Sequence, residues 1–263
     1  MSGSVEPNLS LELWSRAGDV VIVRQALAGL AELLSLDASG AADLATVATE
    51  ACNNVVVHAY APDGSGPMNV EVAFASTQLV ITVSDLGHGM TARAKEPGEA
   101  GGLGLPMMAA LSSSLEIGAN PGGGTRVSAT FEIPAIDPDL VIGQTLWTKR
   151  PALAEDYLAS GGAILTAAPG AVAAVTLARV ARVLAGRARF TADGLEDVDR
   201  VSRRIADEVA SERPNRALTC AILVAERELE LRTFARLESV ERAERDVEVF
   251  NEAGYTRTTL AVR

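Results

Sequence analysis

Glu50, Asn54 and His58 recur at intervals of four in the run Glu50-Ala51-Cys52-Asn53-Asn54-Val55-Val56-Val57-His58. On a helix this spacing stacks the three side chains on one face. The surrounding turns carry Leu44, Val47, Ala48, Ala51, Val55 and Val56, so the polar stripe runs along a helix whose other residues suit a core. A carboxylate, an amide and an imidazole in such a place need partners, because unpaired buried polar groups are costly. A phosphate-bound metal with a hydroxyl or water beside it would supply them. Asn53 lies about 100° around the helix from Asn54 and is secondary. His58, at the end of the stripe, reads as a structural hydrogen-bonding residue.

Two further stretches could complete a site. Asp85-Leu86-Gly87-His88-Gly89 ends a strand. A carboxylate there can accept a hydrogen bond from an exocyclic amine, and glycines let a ligand approach the backbone. Gly101-Gly102-Leu103-Gly104-Leu105 opens a helix, where backbone N–H groups favour an anion. Taken singly each is weak, since strand-end aspartates and paired glycines are mostly turn residues.

The elements that must hold these stretches follow from periodicity. Leu9–Ser15 alternates as a strand, and Asp19 is placed to cap a helix over 20–34. Residues 37–40 read as a break before a helix from Asp43 to about Ala59. The run 60–67 is a turn. Strands at 68–75 and 79–84 follow with period two. Residues 90–100, with Pro97 and Gly98, read as a surface loop. A helix then runs to about Ser113, followed by strands at 115–118 and 125–133. The order β-α-α-β-β-loop-α-β-β implies one mixed sheet with helices on one face.

Composition narrows the class. Apolar residues make up 48% and aromatic ones 4%, which favours helices packed on a sheet with Ala, Val and Leu cores. A net charge of −11 argues against a nucleic-acid binder. Residues 1–135 hold five basic and fourteen acidic residues, and the remainder hold eighteen and twenty, a shift consistent with two domains. Cys52 and Cys220 read as reduced core thiols rather than metal ligands. No basic-then-apolar leader and no apolar run near 20 residues is evident, so a cytoplasmic protein without a membrane segment is expected.

In order and spacing, the three stretches together resemble the ATP-binding signature of the GHKL superfamily (the Bergerat fold), shared by histidine kinases and type II topoisomerases. “EACNNVVVHAY” resembles the N-box, “DLGHGM” the first glycine box, “GGLGL” the second, and “GGGTRVSATF” the closing strand. The Glu-x-x-x-Asn-x-x-x-His pattern and compact length are most similar to the anti-sigma-factor serine kinases. The resemblance spans about residues 9–135 and implies an α+β two-layer sandwich binding ATP and Mg²⁺. It places Asn54 on the metal, Glu50 as general base, and Asp85 on the adenine amino group. Gly87 and Gly89 would shape the pocket and Thr125 would lie beside it. Gly102 and Gly104, flanked by Leu103 and Leu105, would cover the phosphates. Such chemistry needs mainly positioning and charge neutralisation. Basic residues in the loop are limited to Arg93 and Lys95, so a phosphate-contacting arginine beside the glycines is not evident.

The run 134–151 has three prolines and no clear period, so residues 136–160 read as a linker, and 161–263 as a second α/β domain. The second domain is either a degenerate copy of the first or an unrelated domain of similar periodicity. Helix 172–186 parallels 20–34, and 193–210 can be laid on 39–56 without a gap. Strands 217–225, 228–235 and 255–262 echo 68–75, 79–84 and 124–131, with a helix expected at 239–251. In that alignment Arg204 falls at Glu50 and Glu208 at Asn54, and no second set of glycine boxes follows. A copy could pack on the first half as an intramolecular pseudo-dimer, in place of the homodimer expected of the resembled kinases.

The resemblance implies an ATP-dependent serine/threonine protein kinase, with a sigma factor or a STAS-type antagonist as partner. The alternative is a non-catalytic ATP-binding module that sequesters a partner. The ATP-binding half of a histidine kinase is disfavoured, because His58 and His88 are the only histidines.

Overall fold

The computed structural model describes residues 6–61, 64–89, 103–137, 140, 154–233, 247–252 and 255–261. Its centre is β1 (Leu9–Trp14), whose Leu9, Leu11 and Leu13 are fully buried. A 3-10 turn at Ala17–Asp19 leads into α1 (Val20–Leu33), and α2 (Ala38–His58) follows. The hairpin β2 (Pro67–Ala75) and β3 (Gln78–Asp85) comes next, then α3 (Gly104–Leu111), β4 (Ser114–Ala119) and β5 (Thr125–Glu132). After a short helix α4 (Ala154–Ala159) come β6 (Ala163–Ala167), α5 (Ala171–Arg187) and α6 (Ala192–Glu212). The strands β7 (Leu218–Ala225), β8 (Glu228–Thr233), β9 (Val247–Glu252) and β10 (Tyr255–Ala261) complete the chain.

The ten strands among the described residues form one sheet in the order β4-β5-β3-β2-β1-β6-β7-β8-β10-β9. The expected mixed sheet is antiparallel in every described pairing. The reason is the connection: two helices between β1 and β2 bring the chain back in the opposite sense, whereas a single helix would make the pair parallel. The expected helix at 239–251 is corrected as well. Its last residues begin β9, which pairs with β10, and residues 239–246 lie outside the described residues.

Two helix starts also differ from expectation. Residues 37–40 are the first turn of α2, because the Asp37 carboxylate accepts the Gly40 N–H at 2.7 Å and caps the helix. Asp19 makes no side-chain cap at α1. It is helical itself and 3% exposed, and Arg187 of α5 donates to its Oδ1 at 2.7 Å.

Residues 136–160 do not separate two cores. One apolar cluster runs from Leu9 and Leu30 through Leu165, Leu177 and Ile205, so α1, α2, α5 and α6 pack on one face of the shared sheet. A smaller cluster of Tyr157, Leu158, Ile164 and Ala221 lies on the other face under α4, as alternation along β6 and β7 requires.

The two sides of the β1–β6 seam repeat each other in detail. The strand orders read outward from the seam are β1-β2-β3-β5-β4 and β6-β7-β8-β10-β9. Asp37 caps Gly40 at α2, and Thr191 caps Gly194 at α6, both helices having 21 residues. Left-handed residues end α1 and α5 at Ser35 and Arg189, and turn the hairpins at Ser76 and Glu226.

Candidate functional site

Beside its buried face α2 carries Glu50 and Asn54, both half-buried, one turn apart. His58, expected to be structural, is exposed in the last turn. The C-terminus of α2 is locked to the segment after β3. The Ala59 carbonyl accepts the His88 N–H at 2.9 Å, and His88 Nδ1 lies 3.2 Å from the same oxygen. Gly87 makes this approach feasible, since a Cβ there would sit 1.9 Å from the Ala59 oxygen. Gly89 follows with φ +76°, a region costly for other residues.

Asp85, the last residue of β3, is 3% exposed. Its Oδ1 accepts the Gly87 N–H at 2.8 Å, which leaves Oδ2 for an external donor. Its carbonyl accepts from Asn120 Nδ2 at 2.8 Å. Gly124, with φ +81°, lies so close that a Cβ would come 2.3 Å from Asp85 Oδ1. Thr125 starts β5 directly after it and is half-buried.

The third segment is the start of α3. A Cβ on Gly104 would be 2.8 Å from Glu50 Oε2, so the free N–H groups of this first turn lie beside the Glu50 carboxylate. Leu103 and Leu105 flank it and are exposed. Gly102 and the loop residues Arg93 and Lys95 lie outside the described residues. Among the described residues no cluster of three or more His, Cys, Asp or Glu could by itself hold a metal. A Mg²⁺ ion that keeps waters and phosphate oxygens needs only one or two protein oxygens.

Sequence reasoning missed two contributors. Tyr60 donates its hydroxyl to the Pro67 carbonyl at 2.5 Å and accepts the Leu86 N–H at 3.2 Å, joining α2, β2 and the Asp85 segment. Burial raises the Tyr60 pKa, the Leu86 N–H draws it back, and Asp85 adds to the rise. Asn120 holds the Asp85 carbonyl. Tyr60 ends the “EACNNVVVHAY” run, and Asn120 precedes a glycine turn. Both read as ordinary loop residues until β2, β3 and β5 are side by side.

Two concavities flank this junction, and the second shares Asp85, Leu86 and Asn120 with it. One, of about 400 Å³, lies between the start of α2 and the end of α3, lined by Leu36, Leu44, Leu111 and Phe131. The other, of about 310 Å³, lies at the Asp85 end of the opposite sheet face, with Asn69, Glu71, Ser84 and Arg126.

The family model for the histidine kinase-like ATPase domain matches residues 13–131. The chain is 30% identical over 137 residues to an anti-sigma F factor of Pasteuria penetrans, covering 48% of this chain and 91% of that protein. It is 29% identical over 116 residues to the serine-protein kinase RsbW of Bacillus licheniformis, covering 39% and 72%. An anti-sigma F factor of Clostridium beijerinckii is 27% identical over 128 residues, covering 45% and 90%. No helix among the described residues is long and apolar enough to cross a membrane.

Proposed function

Because the chain belongs to the histidine kinase-like ATPase family, we propose that it is an ATP-dependent serine/threonine protein kinase of the anti-sigma type, which phosphorylates a STAS-type antagonist and sequesters a sigma factor. The carrying observation is that Gly87, Gly104 and Gly124, from three separate segments, each stand where a Cβ would strike Ala59, Glu50 or Asp85. The backbone is thereby brought to a cradle between α2, α3 and the end of β3. The donor set suits a nucleotide: a buried carboxylate with one free oxygen, an amide on a half-buried helix face, and a helix N-terminus beside them.

In this reading Asp85 Oδ2 accepts the adenine amino group, and Gly87 and Gly89 keep that end open. Asn54 would offer one amide oxygen to Mg²⁺, and the N–H groups of the first turn of α3 would meet the phosphates. Bound Mg²⁺-ATP supplies the transferable phosphoryl group and the counter-charge. Glu50 takes the proton of the attacking serine or threonine hydroxyl, a role that fits a carboxylate one turn from the metal-binding amide.

Independently of the nucleotide, we read the second half as a degenerate copy. Its support is the repetition of caps, left-handed turns and strand order. Arg204 stands at the position of Glu50 and is no base, and Glu208 stands at that of Asn54 and is no neutral amide. Each chain then has one live site.

A second reading, a nucleotide-dependent binding module without phosphotransfer, is favoured by the scarcity of basic residues near the glycines. The deciding experiment incubates the full chain with labelled ATP and a STAS-type antagonist. Transfer by the wild type, loss of roughly 100-fold or more in Glu50→Ala, and retained ATP binding by that variant are expected. Full activity in Glu50→Ala would remove it as the base, and partner binding without any phosphorylated product would decide for the module. Absence of ATP binding would refute both.

A further inference from the structure

From the seam between the halves we infer that it selects unlike halves: the second half is a dedicated partner of the first, and neither half is built to pair with a copy of itself. This rests on the duplication reading above but not on the ATP reading.

The equivalence is set by the backbone. Asp37 and Thr191, Ser35 and Arg189, and Leu11 and Leu165 lie at one constant sequence separation, and so do the starts and ends of α2 and α6. Each seam residue therefore has a named counterpart in the other half. A two-fold seam between identical halves would repeat every contact in both senses. Among the described residues the β1–β6 ladder repeats in this way, but none of the following side-chain contacts does.

Asp19 of the first half is buried and bound by Arg187 of α5, whose second nitrogen donates to the Gly18 carbonyl at 2.6 Å. The counterparts of Asp19 and Arg187 are Ala173 and Leu33, an apolar pair. Glu32 pairs with Arg179, and their counterparts are Gly186 and Gln25. Arg16 donates to the carbonyls of Leu158 and Ala159, and its counterpart is Gly170. Packing is equally one-sided. A Cβ on Gly29 would meet Val175 at 2.9 Å and Arg179 at 3.0 Å, whereas the counterpart of Gly29 is Val183.

These differences oppose self-pairing in both directions. Two first halves joined this way would place Asp19 against Leu33. Its Oδ2 already has no hydrogen bond among the described residues, so the carboxylate would lose its single cation while buried. Two second halves would set Arg187 against Ala173 and Val175 against Val183, where Gly29 now gives the needed room. Unlike halves satisfy both sets, and the β1–β6 ladder then closes within one chain. Specificity of this kind comes as much from the penalised pairings as from the favoured one.

The test uses the full chain. Light scattering is expected to give one chain mass, 27.3 kDa, across a hundredfold range of concentration. A bismaleimide added to Glu32→Cys/Arg179→Cys is expected to link the two positions within one chain. Arg187→Asp should lower the melting temperature by roughly 5–10 °C, and Asp19→Arg/Arg187→Asp should recover at least half of that loss. Chain-to-chain links as the main product, or a stable dimer that joins like halves, would overturn the inference. So would a double reversal no better than the sum of the single ones. ATP binding or its absence leaves these readouts unchanged, so failure here is separable from failure of the kinase reading.

Discussion

Leu11 and Leu165 face each other across the β1–β6 ladder, at the centre from which the two strand orders run outward. Both are fully buried in the one cluster that spans the molecule. Leu11→Ala or Leu165→Ala should each cost about 2–5 kcal/mol, the transfer loss plus a cavity in a region that cannot collapse. Because both halves share that cluster, urea should unfold the wild type in one transition seen identically by circular dichroism and tryptophan fluorescence. Two separated transitions would contradict a common core.

Asp85 should govern base choice. Asp85→Asn keeps the shape of the side chain but replaces a pure acceptor with a group that presents a donor on one side. ATP affinity is expected to fall roughly 10–100-fold, the effect of one charge-assisted hydrogen bond, with a narrower gap between ATP and GTP. Calorimetric titration with each nucleotide measures both. Unchanged selectivity would dissociate Asp85 from the adenine.

Tyr60→Phe removes the hydroxyl that bridges Pro67 and Leu86 while keeping the ring. A stability loss of about 1–2 kcal/mol is expected from two hydrogen bonds, one leaving a carbonyl unpaired. The pH dependence follows from the raised folded pKa of the phenol. The protonated form is favoured in the folded state, so this contribution is complete below the ordinary tyrosine value of about 10 and is lost as pH rises through the higher folded value. Denaturation profiles between pH 8 and 11 should be flatter in Tyr60→Phe than in wild type.

Gly87→Ala should be far more damaging than an ordinary loop substitution. The new methyl would lie 1.9 Å from the Ala59 oxygen, so α2 and the Asp85 segment must separate. The expected result is a loss of several kcal/mol, on the order of the largest single-residue effects, together with loss of nucleotide binding. A folded variant with wild-type affinity would disprove the packing argument.

Burial pushes the Cys52 thiol up to about 12, and raises that of Cys220 as well. Because the thiolate is the reactive form, neither should react measurably with an alkylating reagent at pH 8 while the chain is folded. Both should become reactive on unfolding in urea, as counted by mass spectrometry. Fast labelling of the native protein would mean that α2 or β7 opens locally.

Much of the site was legible before any fold was known. Glu50 and Asn54 share a helix face because of their spacing alone, and Asp85, Gly87 and Gly104 stood out as residue types with few other uses at strand ends and helix starts. Local periodicity also located α1 and α5 to within a residue, and α2 apart from its first turns. What it could not contain is which elements adjoin. Whether a sheet is mixed or antiparallel depends on how many helices intervene between neighbours, and whether 161–263 is a separate body depends on the free edge of β1 finding β6. The tertiary structure alone decided that Tyr60 and Asn120 hold the Asp85 segment and that Asp19 serves Arg187 rather than its own helix. Sequence carries short-range geometry, because spacing and backbone preference act within a few residues. Contacts such as Asp19 with Arg187 join positions far apart in the chain, and only the folded sheet brings them within hydrogen-bonding distance.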